Sequence, residues 1–213
     1  MRAQLTVERL RDLYPAVTEL VHENPFQLLI ATILSAQTTD KSVNQVTPIL
    51  FGRYPTALDL AGADPAEIER IIIPTGFFRL KSRRIIAASR ALVEKFGGEV
   101  PPSMDDLVQV PGIGRKTANV ILGAGFGIPG FAVDTHVTRL SNRLGLVKTR
   151  VPEKIEAQVT RMVPPSEWTA LSLRLILHGR RVCIARRPRC EECVLNDFCP
   201  SSCTRPKGRA ARK

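Results

Sequence analysis

All five cysteines of the chain lie in one short stretch near its C-terminus, and this clustering limits how that region can fold. They occupy positions 183, 190, 193, 199 and 203, and the preceding 182 residues contain no cysteine. A secreted disulfide scaffold spreads its cysteines through the fold, whereas clustered cysteines in a cytosolic protein are usually metal ligands or redox groups. The sequence therefore predicts a metal site formed by one loop of a cytosolic protein.

The spacing of the first four cysteines indicates which metal group the loop holds. The pattern Cys183-x6-Cys190-x2-Cys193-x5-Cys199 places four thiolates on a compact loop, enough for a [4Fe-4S] cluster without a ligand from elsewhere. Four cysteines also satisfy tetrahedral zinc, but zinc sites usually pair two short knuckles and this loop has one. The spacing favours iron-sulfur and leaves zinc as the alternative. Cys203 lies outside the pattern and is expected to be a free thiol.

The chain carries an excess of positive charge, which bears on its partners. Its 31 Lys and Arg outnumber 20 Asp and Glu, giving a net charge of +11. Residues 179–213 hold ten of the basic residues and three of the acidic ones, so much of the excess lies beside the cysteines. Nucleic acid is the first candidate partner, because each neutralised phosphate releases a counterion. A solvated basic surface explains the charge equally well.

Hydrophobic periodicity predicts an all-α fold. Residues 5–145 form successive amphipathic patterns of helical period with short breaks at Pro, Gly or Asp, and none alternates as a β-strand does. Ser103 and Asp134 stand where helix N-caps are expected. The clearest helical patterns cover 26–37, 41–51, 65–73, 81–96, 103–110, 116–124, 152–163 and 166–180.

The two ends of the chain lead to further expectations. The N-terminus has charges at helical spacing where a signal peptide needs an apolar stretch, and no apolar run is long enough to span a bilayer. The sequence thus predicts a cytoplasmic protein with no membrane partner. The last 14 residues, from Pro200, are polar and basic and are expected to be disordered.

A glycine turn joins two of the predicted helices. The segment reads LVQVPGIGRKTA over 107–118. Its glycines permit positive φ and keep side chains away from the backbone, while the N–H groups at the start of the next helix attract anions. A duplex phosphate would fit there without any reading of sequence. A bare Gly-x-Gly, however, is more often an ordinary turn between packed helices.

The complete string resembles the helix-hairpin-helix of the endonuclease III family of DNA glycosylases. That motif is a proline-glycine-apolar-glycine turn followed by a basic residue, lysine, threonine and alanine, and every position is filled here. The segments 34–40, 133–137 and 176–180 and the cysteine spacing match as well, in the order of the family. The resemblance implies base-excision repair: a glycosylase for oxidised or damaged pyrimidines that also cleaves abasic sites as an AP lyase.

The resemblance also implies an architecture. The family fold has two helical domains with DNA bound in a cleft between them. One is a six-helix barrel, expected at 18–128, with the hairpin at about 103–124. The other is an iron-sulfur domain, expected to combine 1–17 with 129–213, including the cluster loop 183–199 and a basic tail from residue 200. The expected partner is double-stranded DNA with damaged bases or abasic sites, bound by a monomer near the nucleoid.

Two residues are predicted to carry the chemistry. A lysine amine can attack the sugar C1′ and form a Schiff base that drives β-elimination. The resemblance assigns this role to Lys116, where the positive end of the helix dipole disfavours the ammonium; partial burial would act in the same direction. It assigns an assisting carboxylate to Asp134, which can stabilise an oxocarbenium-like centre. Taken alone, Lys116 is one surface lysine among many, and Asp134 is a helix N-cap.

Further residues are expected to contact DNA or the cluster. A base inside a duplex must be flipped out and its place filled. The resemblance implies that Gln37 fills the gap and that Phe77 enters from the other side, with Phe78 as the alternative wedge and burial of both rings in the core as the other interpretation. His136 and His178 are expected to pack or hydrogen-bond. The predicted backbone contacts are Gly112, Gly114, Arg115 and Thr117, and the predicted cluster ligands are Cys183, Cys190, Cys193 and Cys199.

Other activities remain as alternatives at this stage. An adenine glycosylase of the same superfamily shares the cluster but lacks a lysine at the position of Lys116. A pyrimidine-dimer glycosylase differs only in its substrate. A DNA-binding module without catalysis would bind DNA but form no covalent intermediate.

Overall fold

The computed structural model describes residues 1–204. Polar side chains cap the first turns of six helices within this range. The Asn24 side chain accepts a hydrogen bond from the Gln27 N–H, and the Ser103 side chain accepts one from the Asp106 N–H. Such bonds satisfy N–H groups that a helix start otherwise leaves without a partner. The other side-chain caps are Thr39, Thr56, Asp64 and Asp134.

The described residues form an all-α fold without β-strands, and the chain divides into two units. The first, called here the hairpin unit, consists of residues 18–130. Its helices are α2 (Pro25–Leu34), α3 (Asp40–Arg53), α4 (Ala57–Ala61), α5 (Pro65–Ile72), α6 (Phe78–Phe96), α7 (Met104–Leu107) and α8 (Arg115–Val120), and α1 belongs to the other unit. A 3-10 turn (Ile73–Thr75) extends α5, and a π-helical segment (Ile121–Gly125) extends α8.

The hairpin unit is built around α2, which is apolar on almost every side. Leu28, Leu29 and Ile30 are fully buried, and the core continues onto α6 through Ile85 and Leu92. A helix that is apolar all round can only be stable inside a protein, with other helices covering it. Packing on α2 is therefore what organises this unit.

The second unit, called here the cysteine unit, combines residues 1–17 with the chain from 131 onward. It has a separate core that includes Leu10, Phe131 and Leu175, against which Cys183 and Cys199 pack. The cysteine loop is thus continuous with apolar packing. The helices of this unit are α1 (Arg2–Arg11), α9 (Thr135–Arg143), α10 (Pro152–Thr160) and α11 (Trp168–Arg181), with 3-10 turns at Pro165–Glu167 and Cys190–Glu192.

Several boundaries differ from those expected from sequence. The helix expected over 26–37 ends at Leu34, because Gln37 adopts a left-handed conformation that a helix cannot continue through. The helix expected from residue 81 begins at Phe78, and the one expected through Val110 stops at Leu107. The units divide after residue 130, two residues beyond the expected boundary. The expectation of disorder from residue 200 lies, for 205–213, outside the described residues.

No helix within residues 1–204 combines the length and apolar character that a membrane span needs.

Candidate functional site

The turn between α7 and α8 has the conformation that its glycines predict. Gly112 has a φ of +86°, a region that side chains rarely adopt, whereas Gly114 is extended and precedes α8. Ile113 between them is buried and donates its N–H to the Val110 carbonyl at 3.0 Å. A Cβ atom at either glycine would meet no atom within 4 Å. The glycine side of the turn is therefore open to an approaching backbone.

Lys116 lies in the first turn of α8, two residues after Gly114. The first hydrogen bond of this helix joins the Ala118 N–H to the Gly114 carbonyl at 2.9 Å. Ala118 and Asn119 are buried, while Arg115 and Lys116 are exposed. Lys116 is therefore not partly buried in this structure, which differs from one expectation drawn from the sequence. The helix start still places the amine in the positive field of the dipole.

Gln37 and Phe77 share an unusual backbone conformation. Within residues 1–204 they are the two non-glycine residues with positive φ, at +56° and +47°. A non-glycine residue in this region is strained by about 1–3 kcal/mol and persists only where its surroundings hold it there. Both side chains are exposed. These are the two residues that the family resemblance implies for entry into the duplex, and both lie on strained turns of the hairpin unit.

The structure distinguishes Phe77 from its neighbour Phe78. Phe77 is 64% exposed, whereas Phe78 is partly buried against the core of the hairpin unit. The guanidinium of Arg79 lies over the Phe78 ring, 5.7 Å from its centroid. Phe78 is therefore an anchor of the turn, and Phe77 is the ring that the turn displays.

Asp134 is the N-cap of α9, in the cysteine unit. Its Oδ1 accepts a hydrogen bond from the Val137 N–H at 2.8 Å, and the residue is half-buried. The cap fixes the direction of the carboxylate. It borders an open depression in the same unit whose other lining residues include Arg139, Arg143 and Arg150. The capping role and a role toward a substrate are compatible.

The four predicted cysteine ligands line one cavity. Arg143 reaches this loop from α9: its Nη1 lies 3.3 Å from the Cys183 sulfur and donates to the Ile184 carbonyl at 2.8 Å, and its Nη2 donates to the Ala185 carbonyl at 2.7 Å. Arg139, one turn earlier on α9, donates to the Cys183 carbonyl at 3.0 Å. Two arginines of one helix therefore fix the backbone that presents the first cysteine.

His178, buried on α11, contacts the same loop. Burial lowers the pKa of His178 to about 4, so the imidazole is neutral at pH 7 and donates from one nitrogen only. Its Nδ1 lies 3.1 Å from the Tyr14 hydroxyl and its Nε2 lies 3.3 Å from the Cys193 sulfur. With the Tyr14 O–H donating to Nδ1, the Nε2–H donates to the sulfur. His178 thus has the hydrogen-bonding role expected for it.

The cysteine loop supplies the four thiols that a [4Fe-4S] cluster needs, all lining one cavity. Burial, together with the neighbouring cysteines, raises the pKa of the Cys193 thiol to about 11, so a bound cation is needed to hold this residue as a thiolate at neutral pH. A cubane spreads its thiolates because each binds a different iron.

Comparison with known proteins decides the family. The model for the HhH-GPD superfamily of base excision DNA repair proteins matches residues 30–165, and that for the iron-sulfur binding domain of endonuclease III matches 183–199. Endonuclease III of Synechocystis sp. is 53% identical over 195 residues, covering 91% of this chain and 89% of that protein. The chain belongs to the endonuclease III family. It is accordingly a base-excision DNA glycosylase and AP lyase with a [4Fe-4S] cluster.

Further members of the endonuclease III family agree with this chain over most of its length. Endonuclease III of Escherichia coli is 41% identical, with 90% of this chain and 91% of that protein covered. Among solved structures, a trapped endonuclease III–DNA covalent intermediate and a non-covalent endonuclease III–DNA complex each match with a TM-score of 0.87 at 40% identity. In both, 94% of this chain and 96% of the other are covered.

The sequence of this endonuclease III family member did not reveal the residues that hold the cysteine loop and the Phe77 turn in place. Arg139 and Arg143 lie four residues apart on one helical face, a spacing that is visible in the sequence, but nothing local shows that this face meets the cysteine loop. Tyr14 is 164 positions away from His178. Lys81 is 2% exposed, although its sequence neighbours give no sign that it is buried.

Proposed function

We propose that the chain removes oxidised pyrimidines from double-stranded DNA and cuts the resulting abasic site through a Schiff base on Lys116. The observation that carries this proposal is the exposed Lys116 amine in the first turn of α8, directly after the open glycine turn. A phosphate bound at Gly112, Gly114, Arg115 and Thr117 would bring the sugar–phosphate backbone to this helix start.

The chemistry needs an amine, a group that assists it and a way to expose the sugar. The Lys116 nitrogen attacks C1′, the N-glycosidic bond breaks, and its electron pair leaves with the base. Loss of the amine proton and opening of the C1′–O4′ bond give the imine. Removal of a C2′ proton then expels the 3′ phosphate, which completes the β-elimination.

Asp134 is the assisting group in this proposal. Its carboxylate stabilises positive charge at C1′ as the base departs and accepts a proton from the attacking amine. The hydrogen bond from the Val137 N–H holds one carboxylate oxygen in place, which supports a fixed orientation. A preorganised charge of this kind does not have to rotate into position during the reaction.

Gln37 and Phe77 open the duplex. A flipped nucleotide leaves a gap in the base stack that costs a few kcal/mol unless something fills it. The exposed Phe77 ring and the exposed Gln37 side chain, each on a strained turn, are the groups suited to fill it. Partly buried Phe78 stays in the hairpin unit.

Cys183, Cys190, Cys193 and Cys199 hold the cluster in this proposal, with Arg143 and His178 donating to two of the sulfurs. When bound, the cluster supplies a rigid crosslink of the loop. The exposed Arg186, Arg187 and Arg189 then form a basic surface for DNA phosphates. Because the proposed substrate is chromosomal DNA, the proposed location is the cytoplasm. The protein is proposed to act as a monomer.

A panel of duplex oligonucleotides with single defined lesions tests the proposed substrate class. Each oligonucleotide carries one of four lesions: a ring-saturated pyrimidine, an adenine opposite an oxidised guanine, a pyrimidine dimer or an abasic site. The proposal expects base release and strand cleavage at the oxidised pyrimidine and strand cleavage at the abasic site. Faster release of the mispaired adenine or of the dimer would replace the proposed specificity with one of those alternatives.

A further inference from the structure

Lys81 is a buried charged residue that the reaction does not use. It lies in the first turn of α6 and is 2% exposed. Burying an ammonium group is unfavourable, and lysine is almost never fully buried unless it has a partner. Burial lowers its pKa below the ordinary value. Within residues 1–204 its side chain makes no ion pair, so its position needs another explanation.

The partner of Lys81 is the backbone of the turn that carries Phe77. The Lys81 Nζ donates to the Thr75 carbonyl at 2.7 Å, in a buried environment. Thr75 is the last residue of the 3-10 turn that extends α5, so this carbonyl is at a helix C-terminus. Carbonyls at a helix C-terminus lack helical partners and carry the negative end of the dipole, which favours a cation there.

The first helical hydrogen bond of α6 holds the other end of the same short segment. The Lys81 backbone N–H donates to the Phe77 carbonyl at 3.0 Å. The Lys81 ammonium thus holds the Thr75 carbonyl, and the helix backbone, whatever residue stands at 81, holds the Phe77 carbonyl. Both intervening residues have positive φ, +66° at Gly76 and +47° at Phe77. A non-glycine residue keeps such a conformation only where several contacts impose it.

We propose that Lys81 is a positioning residue for base extrusion: its buried ammonium holds the turn from Thr75 to Phe77 so that the Phe77 ring protrudes. This inference rests on the proposed function, in which Phe77 enters the duplex. A methionine at position 81 would match the length of the side chain and suit the core, but it would leave the Thr75 carbonyl without its donor.

A double-mutant cycle separates positioning from general stabilisation. Lys81→Met, Phe77→Ala and the double variant are compared in single-turnover excision of an oxidised pyrimidine from duplex DNA. If Lys81 acts through Phe77, Lys81→Met slows excision by about tenfold or more, and the double variant is no slower than Phe77→Ala. The inference would be overturned if the loss of excision rate in the double variant equalled the product of the losses in the two single variants. It would also be overturned if Lys81→Met kept full activity while Phe77→Ala was impaired.

Ile85→Val provides the matched control, because it removes a buried methyl group one turn further along α6 and leaves the turn intact. It is expected to lower the melting temperature without slowing excision. Wild-type excision by Phe77→Ala would instead refute the wedge assignment of the proposed function. If Lys81→Met fails to fold, Lys81→Leu, which also lacks a donor for the Thr75 carbonyl, takes its place in the cycle.

A second substrate gives a readout that loss of stability alone would not reproduce. A single-stranded oligonucleotide with one abasic site has no paired base to extrude. Lys81→Met should cleave it within about twofold of the wild-type rate, at a temperature where both proteins are folded. Equal losses on this substrate and on the duplex lesion would show that Lys81 supports the whole protein rather than the Phe77 turn.

Discussion

Phe77 allows the strained turn to be tested by comparing glycine and alanine at one position. Replacement by either residue removes the ring, so the loss of its contacts is the same in both variants. The two variants differ in the Cβ atom, which is unfavourable at a φ of +47°. The left-handed conformation costs an L-residue about 1–2 kcal/mol. Glycine avoids this cost but loses about 0.4–1 kcal/mol through the greater entropy of its unfolded chain.

The difference predicts that Phe77→Gly is more stable than Phe77→Ala by about 0.5–1 kcal/mol. For a chain of this size, that corresponds to a melting temperature higher by about 1–4 °C. Thermal unfolding followed by circular dichroism measures it. Arg84, exposed in the interior of α6, is the matched control, and there glycine should be less stable than alanine by about 1 kcal/mol.

The strained turn predicts opposite orders of stability at the two positions: glycine is more stable than alanine at 77 and less stable than alanine at 84. If Phe77→Ala is as stable as Phe77→Gly or more so, residue 77 does not adopt a left-handed conformation in solution. The turn would then have no strained conformation with which to display a side chain. Both variants lack the ring, so both should also excise lesions slowly from duplex DNA while keeping a reactive Lys116.

Three further predictions concern the cysteine unit. Gly179→Ala should lower the melting temperature and the iron content, because the added Cβ would lie 2.9 Å from the Cβ of His136 and force α9 and α11 apart. An unchanged melting temperature would contradict this packing. Arg143→Met should lower the iron bound per protein, because it removes the hydrogen bonds to the cysteine loop. Arg150→Met, the same change at an exposed position, should leave the iron content unchanged. Equal iron contents in the two variants would contradict the anchoring role of Arg143. Cys183→Ser should abolish the broad visible absorbance expected of a [4Fe-4S] centre, and Cys203→Ser should retain it. Loss of the absorbance in both variants would make Cys203 a ligand.

Local sequence patterns predicted the parts of this protein that depend on local physics. The hydrophobic period gave the all-α class, and the cap residues Ser103 and Asp134 were identified from their positions before helical patterns. The glycine turn was also predictable, because Gly112 adopts a φ that few other residues tolerate. The family resemblance then attached chemistry to these positions.

The support of the site was not predictable, because it depends on contacts between distant segments. Nothing near Arg143 indicates that it reaches Cys183, 40 positions later. The choice between Phe77 and Phe78 required the conformation of the turn, since both are adjacent aromatic residues in the sequence. The buried state of Lys81 contradicts the ordinary expectation for a lysine between basic residues, and only the fold shows what its ammonium binds.

Borohydride trapping tests the central claim, that Lys116 is the nucleophile, most directly. A primary amine that attacks C1′ passes through an imine, which borohydride reduces to a stable bond between protein and DNA. The wild-type protein should crosslink to duplex DNA that contains an oxidised pyrimidine or an abasic site. Lys148→Gln, at another exposed lysine, should crosslink equally well. Lys116→Gln should lose crosslinking and strand cleavage while still binding the DNA, and efficient trapping by this variant would show that a different amine is the nucleophile.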